Sequence, residues 1–254
     1  MRIHFLGTGT SQGVPVIGCH CVVCTSEDKK DNRLRSSVLV QTKEATFVID
    51  TGPDFRYQML RSHTERLDAV LFTHSHKDHI AGLDDIRAFN YFQQKPMDVY
   101  ATLETQQALK REYHYIFENG GYPGVPQIRL NTIDGDTPFE VNGVTVIPIR
   151  LLHYQMEVLG FRINDFTYIT DADYISPKEI EKVKGSKVLV LNALRHQQHI
   201  SHFTLEQAVQ LAKKTGVPET YFTHISHQLG LHESVEKELP PGIHLAYDGL
   251  VLNL

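Results

Sequence analysis

A chain of 254 residues with a formal net charge of −5 is long enough to bury a full hydrophobic core in one domain. Its 41% hydrophobic and 22% charged residues are typical of a globular protein, and no apolar run approaches the roughly 18 residues that a membrane helix needs. It also lacks the run of lysines and arginines that follows a nucleic-acid backbone, so a nucleic-acid partner is disfavoured.

The amino-terminal segment gives an expectation for the compartment in which the protein is found. Residues 1–6 lead directly into a glycine-rich loop at 7–13, without the apolar region and cleavage site of a signal peptide. We therefore expect a cytoplasmic protein with no membrane association, folded as a single domain over residues 1–254. A homodimer is compatible with the sequence.

The first half of the chain alternates strands and helices. Apolar patterning predicts strands at 2–6, 37–41, 46–49, 69–72 and 99–101, and helices at about 54–61, 83–92 and 103–116. The segment 118–126 has the composition of a loop. It is long enough to be a lid over a site, and a solvated connector is an equally good interpretation.

The second half is richer in strands. The turn Asn142-Gly143 predicts a hairpin of 139–141 with 144–152, and a second hairpin pairs 160–163 with 166–170. A helix is predicted from Ser176, with Pro177 in its first turn, and a strand at 188–191. The capping box that begins at Thr204 predicts a helix ending near Gly216, followed by a strand at 218–223 and a final strand pair within 243–252.

The stretch from Thr73 to His79 carries the strongest chemical signal. It places His74, His76, Asp78 and His79 in the spacing H-x-H-x-D-H directly after an apolar strand. Alternation along an extended turn puts the first two histidines on one side, and the other two residues follow where a helix begins. This spacing predicts a metal site with room for two ions.

Polar side chains follow five of the predicted strands. Asp50, His74, His153, Asp171 and His224 each come after an apolar or β-branched run. Because the carboxyl ends of strands are where layered α/β folds assemble their sites, we expect these side chains to lie together.

The three cysteines lie within six residues, at Cys19, Cys21 and Cys24. An odd number in a cytoplasmic protein argues against disulfide bonds, and three thiolates this close favour zinc. A structural zinc takes four ligands, so the fourth comes from His20 or from elsewhere in the chain. Inert or redox-active thiols are the alternative.

These residues together resemble the metallo-β-lactamase superfamily, whose dinuclear hydrolases carry H-x-H-x-D-H followed by a His, an Asp and a last His. The resemblance implies a four-layer αββα sandwich of two mixed sheets, and it assigns each metal ligand. A first ion would be bound by His74, His76 and His153, a second by Asp78, His79 and His224, with Asp171 bridging both.

The ends of the chain resemble a narrower group, the PhnP-type phosphodiesterases of the carbon-phosphorus lyase pathway. The motifs are Gly7-Thr8-Gly9, the cysteine segment 14–24, Thr223 to Gln228 and Tyr247-Asp248-Gly249. This resemblance implies a structural zinc on Cys19, Cys21, Cys24 and His227, and it places His202 in the active site. We further expect Asp50, and by analogy Asp248, to orient ligand histidines through the second ring nitrogen.

The function implied is that of a metal-dependent phosphodiesterase acting on a small, cyclic sugar or nucleotide phosphodiester. Two divalent ions, zinc or manganese, would share a hydroxide that attacks the phosphorus in line, while the ions hold the phosphate oxygens. Asp78 and Asp171 would hold these ions, and His202 would protonate the departing oxygen. The alternatives are a ribonuclease Z-like RNA endonuclease, a thioesterase or lactonase of the same superfamily, and a metal-binding protein without enzymatic activity.

Overall fold

The computed structural model describes residues 1–118 and 124–254. Its strands, in chain order, are β1 (Arg2–Gly7), β2 (Ser37–Gln41), β3 (Thr46–Ile49), β4 (Ala69–Leu71), β5 (Met97–Ala101), β6 (Ile128–Thr132), β7 (Phe139–Val141), β8 (Val144–His153), β9 (Met156–Ile163), β10 (Phe166–Tyr168), β11 (Tyr174–Ile175), β12 (Val188–Asn192), β13 (Glu219–Thr223), β14 (Ile243–Leu245) and β15 (Val251–Asn253).

Eight α-helices are seen in the described residues. They are α1 (Phe55–Arg61), α2 (Lys77–Ile80), α3 (Arg87–Gln93), α4 (Leu103–Glu112), α5 (His114–Phe117), α6 (Pro177–Val183), α7 (Leu205–Thr215) and α8 (His232–Glu236). Short 3-10 turns occur at Lys29–Asp31 and Leu83–Ile86. The capping box predicted at Thr204 is present, and Gly216 ends α7 in a left-handed conformation, as the sequence indicates.

The strands form two mixed sheets. The first has the order β15-β1-β2-β3-β4-β5-β6 and is parallel from β3 to β6. The second has the order β11-β8-β9-β10-β12-β13-β14, with β7 paired to β8, and is parallel from β10 to β14. Helices connect the parallel strands, which is the connection that such strands require.

Three apolar clusters define four layers. One cluster lies between the sheets and includes Phe5 and Phe47 from the first and Phe161 and Phe166 from the second. A second cluster packs the other face of the first sheet against α1, α3 and α4, and a third packs the second sheet against α6, α7 and α8. Burying one large apolar side chain completely stabilises the folded state by about 1.5–3 kcal/mol. The αββα sandwich predicted from the sequence is therefore confirmed.

Close backbone contact fixes the segment after β4 against the segment after β3. A Cβ atom on Gly52 would lie 2.1 Å from the carbonyl oxygen of Asp78, and one on Gly82 would lie 2.2 Å from the carbonyl oxygen of Gly52. Only glycine allows both approaches. As a result α2, which begins within the H-x-H-x-D-H motif, packs directly beside the end of β3.

The structure differs from the predicted secondary structure in several places. The predicted helix at 103–116 is divided into α4 and α5, and α8 and the short strand β11 were not predicted. The final strands do not pair with each other, because β14 adds to β13 in the second sheet and β15 pairs with β1 in the first. The sequence reading missed β6, and it began β9 at residue 160 although the strand starts at Met156. The proposed lid at 118–126 lies mostly outside the described residues. Within residues 1–118 and 124–254, no helix is long and apolar enough to cross a membrane.

Candidate functional site

Three histidines converge at the carboxyl edge of the two sheets. His74 and His76 follow β4 in the first sheet, and His153 is the last residue of β8 in the second. Their ring centroids lie 4.7–5.7 Å apart, and one ligand atom from each lies within 4.8 Å of the others. The arrangement is that of three nitrogen ligands around one ion.

A second group lies directly beside the first and combines two acids with two histidines. Nε2 of His79 lies 3.1 Å from a carboxylate oxygen of Asp78 and 3.1 Å from Oδ2 of Asp171. Nδ1 of His224 lies 3.1 Å from the same oxygen of Asp171. With metal–ligand bonds of about 2.0–2.2 Å, ligand atoms on one ion lie about 3.0–3.4 Å apart, so these spacings fit a second ion.

Asp171 lies between the two groups. Its Oδ2 faces His79 and His224, whereas the carboxylate also lies within ligand distance of His153, which belongs to the first group. The loop that carries Asp171 is held by Asn192, whose side-chain amide makes two 2.9 Å hydrogen bonds to the backbone of Ala172. The carboxylate is thus fixed where it can contact ions in both groups.

The donor chemistry also fits divalent metal ions. Nε2 of His74 is buried and has no hydrogen-bond partner within the described part of the chain. Nε2 of His79 is also buried, and although two carboxylate oxygens lie 3.1 Å away, neither is placed with hydrogen-bond geometry. Burial opposes a charge on His79, but the carboxylates of Asp171, Asp78 and Asp50 together hold its pKa well above the usual value. Three buried or half-buried carboxylates around one imidazole demand a cation, and a metal ion supplies more charge than a proton.

Each buried ligand histidine has a partner on its second ring nitrogen. Asp50 contacts Nδ1 of His79 at 2.7 Å, as the sequence predicts, and also accepts hydrogen bonds from Thr73. The carbonyl oxygen of Ser201 lies 2.7 Å from Nδ1 of His153. Such partners fix the tautomer and direct the free nitrogen toward the metal.

The partner of His153 was missed in the sequence, because a backbone carbonyl leaves no residue-type signal. The same holds for the hydroxyls beside the other two ligand histidines. Thr73 Oγ1 lies 2.9 Å from Nδ1 of His74, and Thr10 Oγ1 lies 3.3 Å from Nε2 of His224, the ring nitrogen opposite the one that faces Asp171. Threonines at these positions are indistinguishable in sequence from ordinary turn residues.

Three of the residues after strands adopt a left-handed backbone conformation. The φ angles are +65° for Asp50, +52° for Asp171 and +56° for His224. Non-glycine residues populate this region rarely, and such strain concentrates at functional sites. The strained backbone turns each side chain from the strand direction into the space between the sheets' edges.

The three cysteines meet a histidine from the far end of the chain. Sγ of Cys19, Cys21 and Cys24 lies 3.4, 3.3 and 3.5 Å from Nδ1 of His227. A tetrahedral zinc with ordinary bond lengths separates sulfur and nitrogen ligands by about 3.6 Å, so the four donors fit one zinc ion. The backbone N–H of Cys24 lowers the pKa of Cys21 to about 6, which favours its thiolate.

His20, the other candidate for the fourth zinc ligand, is exposed and does not belong to this group. His227 therefore occupies the position that the resemblance implied.

His202 and Asp248 lie in different surroundings. The His202 ring stacks on His224 with centroids 4.9 Å apart, and its buried Nδ1 lies 3.8 Å from Oδ1 of Asp171.

Asp248 contacts no ligand histidine in the described residues. It accepts hydrogen bonds from Thr8 and from the backbone of Leu34, so it secures the glycine-rich loop, and we do not propose an orienting role for it.

Comparison with known proteins matches this architecture. Residues 45–225 match the model of the beta-lactamase superfamily domain. A crystal structure described as a new diphosphatase from the PhnP family superposes with a TM-score of 0.93 and 41% identity, covering 100% of this chain and 97% of the other. The chain belongs to the metallo-β-lactamase superfamily, in its PhnP family. The prediction of a metal-dependent hydrolase is thereby confirmed.

Two curated relatives are similar over part of their length. An octanoyltransferase of Porphyromonas gingivalis is 42% identical over 252 residues, which are 98% of this chain and 51% of the relative. A ribonuclease Z of Limosilactobacillus reuteri is 24% identical over 193 residues, which are 74% of this chain and 55% of the relative. The chain thus spans about half the length of these relatives, and the activities in their names are not carried over to it.

Proposed function

We propose that this member of the PhnP family hydrolyses a phosphoric diester or phosphoanhydride bond in a small organic phosphate. The PhnP-family crystal structure that superposes with a TM-score of 0.93 is described as a diphosphatase. This description supports phosphoanhydrides as substrates, in addition to the cyclic phosphodiesters expected from the sequence. In a phosphodiester and in a disubstituted diphosphate the reacting phosphorus carries two substituents and a negative charge that divalent ions can stabilise.

One observation carries this proposal: the carboxylate of Asp171 lies within ligand distance of both donor groups. We propose that the first ion is held by His74, His76 and His153, the second by Asp78, His79 and His224, and that Asp171 contacts both. Two divalent ions held by these residues would activate water and would stabilise the attacking and leaving oxygens of a phosphoryl centre. Imidazole and carboxylate donors suit zinc or manganese, whereas the thiolates of the separate site select zinc.

The protein's own contribution is to hold these donors rigidly. Asp50, which follows β3, contacts His79, and Thr73, which follows β4, contacts His74. The carbonyl oxygen of Ser201, on the loop between β12 and α7, contacts His153. These contacts fix the orientations of the three imidazole rings. Because the ligands come from both sheets, the site is organised before substrate binds and little reorganisation accompanies reaction.

His202 is proposed to bind a phosphoryl oxygen. Its Nδ1 is buried, has no partner in the described residues, and points toward Asp171 at 3.8 Å. Burial, reinforced by the neighbouring His224, lowers the pKa of His202 to about 3, so the imidazole is neutral and offers one N–H donor. A neutral donor suits stabilisation of the phosphoryl group better than the proton transfer predicted from sequence.

A substrate panel tests the proposal. Metal-loaded protein is assayed with a methyl aryl phosphodiester, a dinucleoside diphosphate, a phosphomonoester, a thioester, a lactone and a tRNA precursor. We expect turnover of the first two and much slower turnover of the monoester, which carries up to one more negative charge and binds like a product. Preferred cleavage of the tRNA precursor, the thioester or the lactone would instead support ribonuclease Z, thioesterase or lactonase activity.

A further inference from the structure

A cavity of about 430 Å³ opens beside the proposed metal site. It is lined by His76, His153, Tyr154, Gln155, Met156, Ile200 and Ser201. Two of these, His76 and His153, also belong to the first donor group. A substituent on a phosphate bound at the metal site would therefore extend directly into this cavity.

The outer walls of the cavity are apolar and exposed. Ile200 is 66% exposed and Tyr154 is 51% exposed, and Met156 also lines the cavity. No Asp, Glu, Lys or Arg occurs among the lining residues, whereas Gln155 and Ser201 supply polar groups. Apolar side chains left exposed beside a polar site indicate a contact surface for a ligand.

Tyr154 occupies a backbone position that its residue type disfavours. It begins the two-residue turn between β8 and β9 with φ +59°. The two other hairpin turns of this sheet place Asn142 and Asn164 in the left-handed conformation, at φ +49° and +52°. Asparagine adopts this conformation easily, whereas tyrosine is strained there.

The strained turn is tied to the metal site. The backbone N–H of Tyr154 donates to Oδ1 of Asp173 at 2.6 Å, and Asp173 lies two residues after Asp171. The backbone of Tyr154 is therefore held beside the segment that carries Asp171. Strain retained beside a site, where asparagine would relieve it, points to a role for the ring itself.

We propose that this cavity binds the planar base of a nucleoside phosphate substrate, stacked on Tyr154 and packed against Ile200. This inference rests on the proposed function, because it uses the phosphate position at the metal site. A nucleobase has an apolar face for the tyrosine ring and a polar edge for Gln155 or Ser201, a combination that an alkyl chain or a bare sugar lacks. Loss of one base–aromatic stack weakens binding roughly 5- to 150-fold.

Calorimetric titration of the metal-loaded protein tests the proposal with two ligands that share the ribose 5-phosphate group, only one of which carries a base. Adenosine 5′-monophosphate is expected to bind at least 5-fold more tightly than ribose 5-phosphate. Tyr154→Asn should abolish most of this difference without lowering the melting temperature, because asparagine suits the turn. Tyr154→Phe should preserve the difference, and Tyr91→Asn, at an exposed tyrosine on α3, is the matched control.

Equal affinity for the two ligands in the unmodified protein, or a preference that survives Tyr154→Asn, would overturn the proposal. Tighter binding of octyl phosphate than of the nucleotide would also overturn the proposal, and it would indicate that the cavity binds alkyl chains. Turnover of methyl 4-nitrophenyl phosphate, which has no base, separates the two claims. If that ester is not hydrolysed while the binding pattern holds, the base site stands and the hydrolytic function fails.

Discussion

At the scale of single residues, the site depends on side chains whose two polar atoms face different neighbours. Asp50 contacts His79 with one oxygen and the Thr73 backbone with the other, and Asp171 faces both donor groups. Such residues couple the position of one ligand to that of the next. Their substitution is therefore expected to affect metal binding more than the stability of the fold.

The second metal position is tested by Asp78→Ala. Because Asp78 lies in the short turn of helix that begins α2 and does not belong to an apolar cluster, we expect the melting temperature to change little. One metal equivalent should be lost, and phosphodiester turnover should fall at least ~10³-fold, because no single remaining ligand set holds both ions. Asp165→Ala, which removes a surface partner of Lys187, is the control. Activity within a few-fold of the unmodified protein would contradict the two-ion site.

Asp50→Asn tests the orienting contact separately. Asparagine tolerates the φ of +65° found here, so the backbone should be unaffected. Losing the carboxylate beside Nδ1 of His79 should weaken metal affinity about 10- to 100-fold, measured by competition with a chelator. Unchanged affinity would show that Asp50 serves only to join β3 to the segment after β4.

The role of His202 is tested by His202→Ala on two diesters with different leaving groups. If its N–H binds a phosphoryl oxygen, kcat should fall roughly 10²-fold on both an alkyl and a nitrophenyl diester. A loss confined to the alkyl ester would support the acid role instead. His196→Ala, on the exposed part of the same loop, should leave both rates unchanged.

At the scale of elements, the cysteine segment and the loop after β13 depend on each other. Residues 19–24 contain no helix or strand of their own, and their cysteine sulfurs meet His227, which follows the ligand His224 by three residues. Zinc at this position would connect the amino-terminal loop to the edge of the metal site. Binding free energy at such a site acts as folding free energy.

Removing one of these ligands tests the zinc site. Cys21→Ser and His227→Ala should each lose one zinc equivalent by elemental analysis and lower the melting temperature by several degrees. His20→Ala should retain the zinc, because this residue is exposed and outside the group. Full zinc content and an unchanged melting temperature in Cys21→Ser would rule the site out.

At the scale of the whole molecule, most local elements and the positions of the metal-competent side chains were predictable, because both depend on short-range periodicity. The H-x-H-x-D-H motif and the acids and histidines after strands are visible in sequence for that reason. The pairing of β15 with β1 was not, because it joins the two ends of the chain and leaves no local signal. The start of β9 was missed because Tyr154 and Gln155 are not typical of a hairpin turn.

The order of the strands explains why the site forms where it does. Residues 50, 74, 153, 171 and 224 come from strands of both sheets, and their carboxyl ends meet at one edge of the sandwich. Sequence spacing alone shows which segments carry metal-competent side chains. It does not show that Ser201, on a loop between the sheet and α7, supplies a carbonyl to His153.

The central claim is that the site needs two ions, and a metal titration tests it most directly. Protein with its cysteine site filled by zinc and the remaining metal removed is titrated with Mn²⁺ while hydrolysis of methyl 4-nitrophenyl phosphate is measured. We predict that activity rises to a plateau at two equivalents of Mn²⁺ and that Asp171→Asn, which weakens the shared ligand, shows no comparable rise. A plateau at one equivalent, or full activity in Asp171→Asn, would contradict the two-ion account.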